Sequence, residues 1–76
     1  MNRYKVIYKK YCGISGTYDN VSAFKIIGKG YLALYWITNE EYNTGVCIEL
    51  MFRKHKEIEI YLDDTRIYYF KDGKEI

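Results

Sequence analysis

Residues 46–62 read VCIELMFRKHKEIEIYL, and the alternation along this stretch decides the fold. Val46, Ile48, Leu50 and Phe52 fall on one parity, while Cys47, Glu49, Met51 and Arg53 fall on the other. After Lys54-His55-Lys56, the apolar Ile58, Ile60 and Leu62 again alternate with Glu57, Glu59 and Tyr61. Successive side chains of a strand point to opposite faces, so a period of two means two half-buried strands, each with an inward apolar row. Lys54-His55-Lys56 reads as a tight polar connection between them, with His55 as a turn residue surrounded by solvent.

The same period runs outward in both directions. In Arg3 to Tyr11 the inward row is Tyr4, Val6 and Tyr8, and the outward row carries Arg3, Lys5 and Lys9. Cys12-Gly13-Ile14-Ser15-Gly16 supplies turn residues, a second strand falls within residues 17–27 with a bulge at Asp19-Asn20, and Gly28-Lys29-Gly30 is the next break. Tyr31 to Ile37 is apolar on both parities, so this strand is either covered on both faces or presents an aromatic face to solvent. Thr38-Asn39-Glu40-Glu41 has the form of a capping box and Gly45 is a natural stop, which predicts one short helical turn over 39–43. Asp63-Asp64 and Asp72-Gly73 are turn dipeptides on either side of a last full strand, Arg66 to Lys71, and Lys74-Glu75-Ile76 adds a final short pairing.

These elements predict an all-β protein, a small antiparallel meander of five to six strands that curls into a barrel or a two-layer sheet. The alternative is α+β, with the 39–43 segment or the stretch after Gly13 extended into a true helix. Residues 1–76 make a single domain, because domains usually run from about 50 to 250 residues. The chain is 49% hydrophobic and 18% aromatic with no proline and a net charge of +2, a composition that buries a core rather than staying disordered. The longest uncharged apolar run, Tyr31 to Ile37, falls far short of the roughly 20 residues of a spanning helix. Lys9 and Lys10 interrupt any leader-like apolar segment, so the expected setting is cytoplasmic, away from membranes, with Cys12 and Cys47 reduced. Lys, Ile, Tyr and Asn together make up 33 of the 76 residues, which points to an AT-rich genome such as that of a low-GC bacterium, its phages or its plasmids.

The residues for catalysis are few. His55 is the sole histidine, and Cys12, Cys47 and His55 match no metal-ligand spacing, so no metal and no cofactor is expected. Gly13-Ile14-Ser15-Gly16 lacks nucleophile-elbow spacing, and no helix follows Gly28-Lys29-Gly30 to hold an anion. The expected function is therefore non-enzymatic.

Two surfaces stand out. Strands three, four and five, paired in chain order, bring Tyr31 and Tyr35 beside Cys47, Glu49 and Met51, with Glu57, Glu59 and Tyr61 beyond them. Tyrosine and methionine are enriched at protein interfaces, so Tyr31, Tyr35, Glu49, Met51 and Tyr61 are the candidate protein-binding residues. The expectation is a stand-alone protein-binding module, in sharper form a phage- or plasmid-encoded inhibitor of a host enzyme or defence complex. The alternative is a small β-barrel for single-stranded nucleic acid, with phosphates on Arg3, Lys5, Lys9, Lys10, Lys54 and Lys56 and a base on Tyr11. The sequence pI of about 8.5 is modest for that role. A homodimer through an open edge strand, the first or the last, is a third possibility.

Overall fold

The computed structural model describes residues 3–39, 41–42 and 44–76. Eight strands form: β1 Tyr4–Lys10, β2 Ser15–Val21, β3 Ala23–Ile27, β4 Tyr31–Asn39, β5 Thr44–Met51, β6 His55–Leu62, β7 Thr65–Lys71 and β8 Lys74–Glu75. They make a five-stranded sheet in the order β2-β1-β6-β7-β8 and a three-stranded sheet in the order β3-β4-β5, with antiparallel pairing throughout. The all-β, two-layer expectation holds. The strands outnumber the expected five to six because residues 17–27 divide into β2 and β3, one in each sheet, and Lys74–Glu75 pairs as an eighth. Among the described residues the helical content is one 3-10 turn, Phe52–Lys54, and no helix is long and apolar enough to cross a membrane.

The inward rows are the ones the alternation marks. Val6, Ile58 and Ile60 from the long sheet and Leu32 and Leu34 from the short one are fully buried, with Leu50, Phe52 and Phe70 nearly so. Aromatic rings close the margins. Tyr4 stands edge-on to Phe24 at 5.2 Å, Tyr8 stacks on Tyr18 at 5.2 Å, and Tyr18 meets Trp36 at 5.7 Å. Large rings bury enough area each to let so short a chain assemble a core with Cys12 and Cys47 unpaired. Val46, expected inward, sits at the outer end of the edge strand β5 and is 56% exposed.

The chain changes sheets at two places. At Ser22, between β2 and β3, the amide donates to the Tyr35 carbonyl at 2.8 Å, while the hydroxyl accepts from the Ile37 amide at 3.0 Å and from an Arg3 Nη at 3.2 Å. The side chain thus replaces a ladder partner that the corner removes, which keeps a buried amide satisfied. Asn20 sits just before it with φ 57, in the bulge anticipated at Asp19-Asn20. The second crossing is the 3-10 turn. Phe52 completes the inward row of β5, its amide donates to the Gly30 carbonyl at 3.0 Å, and its ring lies 4.6 Å from that of Phe70 in the other sheet.

That second crossing corrects two expectations. β6 does not follow β5 in one sheet; it pairs with β1 and β7. His55 is not a solvated turn residue but the first residue of β6, only 3% exposed. The physical reason is a bulge: Lys9 pairs with Glu57 but Lys10 pairs with His55, so Lys56 is the extra residue. Regular alternation from Ile58 would turn Lys56 inward, and the bulge sends it to solvent and turns His55 in. A carbonyl only accepts, so His55 Nδ1 donates to the Met51 carbonyl at 2.7 Å.

Of the helical turn expected over 39–43, Glu40 and Asn43 lie outside the described residues. Asn39 ends β4 instead of opening a helix, and its Oδ1 accepts from the amides of Glu41 at 3.0 Å and Tyr42 at 3.4 Å. The Thr38 hydroxyl instead donates across the hairpin to the Thr44 carbonyl at 3.3 Å. Asp72 and Gly73, at φ 49 and 84, form the hairpin turn that the dipeptide signals.

Candidate functional site

The short sheet is covered by the long sheet on one side only. Its inward row on β4 is Leu32, Leu34 and Trp36, which places Tyr31, Ala33, Tyr35 and Ile37 on the outer face. The register lays that face out in levels. Ile27, Tyr31 and Met51 share one level, Lys25, Ala33 and Glu49 the next, and Ala23, Tyr35 and Cys47 the third. Tyr31 is 40% exposed, Ile27 38% and Ile37 37%. Tyr35 and Met51 are half-buried, Ala33 is fully covered, and Cys47 and Glu49 are exposed.

Shallow depressions lie at both ends of the face. One, of about 310 Å³, runs from Tyr35 and Ile37 across to Gly45 and Cys47; the other, of about 290 Å³, lies between Tyr31, Met51 and Arg53. The result is a broad apolar and aromatic surface with one cation and one anion at its middle level. Exposed apolar and aromatic side chains grouped on one face of a small protein mark an interaction surface. Four of the five candidate protein-binding residues, Tyr31, Tyr35, Glu49 and Met51, are gathered here. Tyr61 is not: β6 belongs to the long sheet, so Tyr61, Glu57 and Glu59 lie on the opposite side of the molecule. Lys25 and Ile27 complete the face and were not anticipated from sequence, because nothing in the alternation of residues 23–27 indicates that β3 pairs with β4 rather than extending β2.

The outer face of the long sheet holds a different set. Across β1, β6 and β7 the levels are Lys5, Tyr61, Arg66; Ile7, Glu59, Tyr69; and Lys9, Glu57, Lys71. Its acids are engaged: Glu59 accepts from Tyr61 at 2.7 Å and from Arg66 at 3.3 Å, and Glu57 accepts from Tyr69 at 2.6 Å. The Arg66 guanidinium lies 4.2 Å from the centre of the Tyr69 ring. Among the candidate nucleic-acid residues, Lys5 and Lys9 therefore share their face with two carboxylates. Lys10, Tyr11 and Lys54 group instead at the end beside the 3-10 turn, where the Tyr11 amide reaches the Lys54 carbonyl at 3.4 Å, and Arg3 lies beside the Ser22 corner. The seven do not form one surface. β1 is flanked by β2 and β6, so it offers no open edge for a dimer; β8 is an edge of two residues.

The Glu57–Tyr69 bond predicts pH behaviour at both extremes. The phenol holds the Glu57 carboxyl below the usual carboxylate range, with Lys71 and Lys9 adding to the effect. The same bond pushes the Tyr69 phenol from 10.0 up to about 12. Ionised Glu57 then favours the fold above the ordinary carboxylate pKa, and that contribution is lost as pH falls through its lowered value. The Tyr69 contribution is complete below pH 10 and is lost as pH rises through about 12. In an alkaline absorbance titration Tyr69→Phe is expected to remove the last phenolate step; a curve that keeps that step would mean the bond is absent.

Comparison with known proteins finds no counterpart for this chain: no family model, no curated protein and no solved structure matches it.

Proposed function

We propose that this chain is a protein-binding module whose contact surface is the outer face of the short sheet. The observation that carries the reading is the grouping of exposed apolar and aromatic residues on that face, with Tyr31, Ile27 and Met51 on one level and Tyr35 four residues along β4. Tyrosine gives wide contact area with few rotors to freeze, which suits a binding role. A non-catalytic role is further supported by His55, whose imidazole is buried with its Nδ1 committed to a main-chain carbonyl. Two exposed free thiols, Cys12 and Cys47, support a reducing, cytoplasmic setting. The sharper form of the proposal, an inhibitor of a host enzyme encoded by a phage or plasmid, draws its support from the AT-rich residue usage.

Alanine at Tyr31 or Tyr35 tests the reading. Each variant is expected to keep the far-ultraviolet circular dichroism of the wild type and to lose protein binding by the immobilised chain, tested with a low-GC bacterial extract and with the purified chain itself. Unchanged capture with either variant would remove the face from consideration, and loss of the fold would make those rings part of the core.

A further inference from the structure

The levels of the short sheet's outer face are self-complementary, and this points to the occupant. Consider a second copy laid face to face on the first, related by a two-fold axis that lies between the sheets and runs along β4. Such an axis exchanges the two sides of β4 while keeping each level in place. Residues of β3 in one copy then lie over residues of β5 in the other at the same level. Ile27 meets Met51, Ala23 meets Cys47, and Lys25 meets Glu49, each contact occurring twice, while Tyr31 and Tyr35 meet their own counterparts on the axis. The other in-plane axis, across the strands, would place Lys25 over Lys25 and Glu49 over Glu49 at the centre of the interface. Charge therefore selects one of the two packings, and isologous pairing of one patch with itself is the usual geometry of a dimer.

We propose that the partner bound by this face is a second copy of the chain, in the packing that sets Lys25 of each copy against Glu49 of the other. The inference rests on the reading of this face as a protein-binding surface and names its occupant. The dimer would stack four layers, long, short, short and long, with sheets about 10 Å apart. It leaves the outer faces of both long sheets, with Lys5, Tyr61 and Tyr69, open to any third protein. Nine residues of β4 at about 3.3 Å each and three strands about 4.8 Å apart give a contact of about 400 Å² per copy, below the usual size of stable interfaces, so a weak, concentration-dependent equilibrium is expected.

Lys25 and Glu49 are both exposed, so charge reversal leaves the core untouched. Sedimentation equilibrium of the wild type from micromolar to millimolar concentration is expected to reach twice the 9.1 kDa chain mass. Lys25→Glu alone and Glu49→Lys alone should each stay monomeric, since each sets like charges opposite one another. Mixed together, the two variants should form a heterodimer, in which every reversed residue meets its opposite. A wild-type chain that stays monomeric at millimolar concentration, or a dimer indifferent to either single reversal, overturns the proposal. If the wild type is monomeric yet Tyr31→Ala still loses the protein captured from extract, only the second copy is wrong; if capture also ignores Tyr31→Ala, the reading of the face falls with it.

Discussion

Leu34→Ala is expected to remove a large fraction of the chain's stability. Leu34 lies at the middle of β4 with no solvent exposure, between Phe24 and Ile48 in the ladder and within the cluster formed with Val6, Ile58 and Ile60. Truncating a buried leucine removes its transfer energy and leaves a cavity, together about 2 to 5 kcal/mol. A domain of this length has only about 4 to 11 kcal/mol of stability in total. The next residue provides the control, because neighbours on a strand face opposite ways and a one-residue slip would exchange their roles. Tyr35→Ala should cost clearly less than Leu34→Ala in urea unfolding. Should the two costs come out reversed, the register of β4 described above is wrong and the aromatic face is the core.

Gly45→Ala should be the most damaging single methyl added to any turn or strand glycine of this chain. A Cβ at Gly45 would collide with the Trp36 carbonyl oxygen and crowd the Ile37 Cα, and both are backbone atoms that cannot rotate away. The near end of the β4–β5 hairpin, where the register shifts between Ile37 and Asn39, must then open. Overpacking of this kind costs about 1 to 3 kcal/mol. Gly30 makes the comparison, since nothing lies within 4 Å of its added Cβ and its φ is not positive. Gly30→Ala should be neutral or stabilise by about 0.4 to 1 kcal/mol through the unfolded state. Equal midpoints for the two variants in thermal unfolding would show that the hairpin end yields more easily than its geometry implies.

Much of this fold is legible in the sequence because burial of a strand leaves a local trace. The inward rows Tyr4, Val6, Tyr8 and Ile58, Ile60 stand out by parity alone, and Asp72-Gly73 and Asp63-Asp64 mark turns through residues that tolerate positive φ. Which strands pair is a different matter, because pairing partners far apart leave no periodic signal. The segment from Phe52 to Lys56 illustrates the difficulty. Lys54 breaks the alternation, and Lys54-His55-Lys56 can be read as a tight turn within one sheet; the structure uses the 3-10 turn Phe52–Lys54 to leave that sheet altogether, with Phe52 anchored against Phe70. The fate of His55 depended on a single bulged residue, Lys56, whose charge is the one hint that alternation must fail there.

The candidate face was legible to the extent that it lies on adjacent strands. Tyr31 opposite Met51 and Tyr35 opposite Cys47 follow from joining β4 to β5 through a short connection, which is a local inference. Tyr61 was misplaced for the same reason that β6 was, and Lys25 was missed because Ser22, a small polar residue without special φ, gives no sign that the chain turns a corner there. Its importance comes from three hydrogen bonds to residues distant in sequence.

The placement of β1 beside β6 has a consequence for how the chain reaches this structure. Lys10 pairs with His55, so residues 11–54, including the whole short sheet, form a loop that must close before the long sheet exists. Loop closure grows more costly with length, by about 0.6 kcal/mol for each doubling, whereas the β3–β4–β5 and β6–β7–β8 hairpins need only neighbours in sequence. During synthesis β1 and β2 leave the ribosome with the Val6 row uncovered and wait for β6 to follow. The non-local pairing then governs the speed of folding and places this chain among the slower, β-rich domains that fold in milliseconds to seconds.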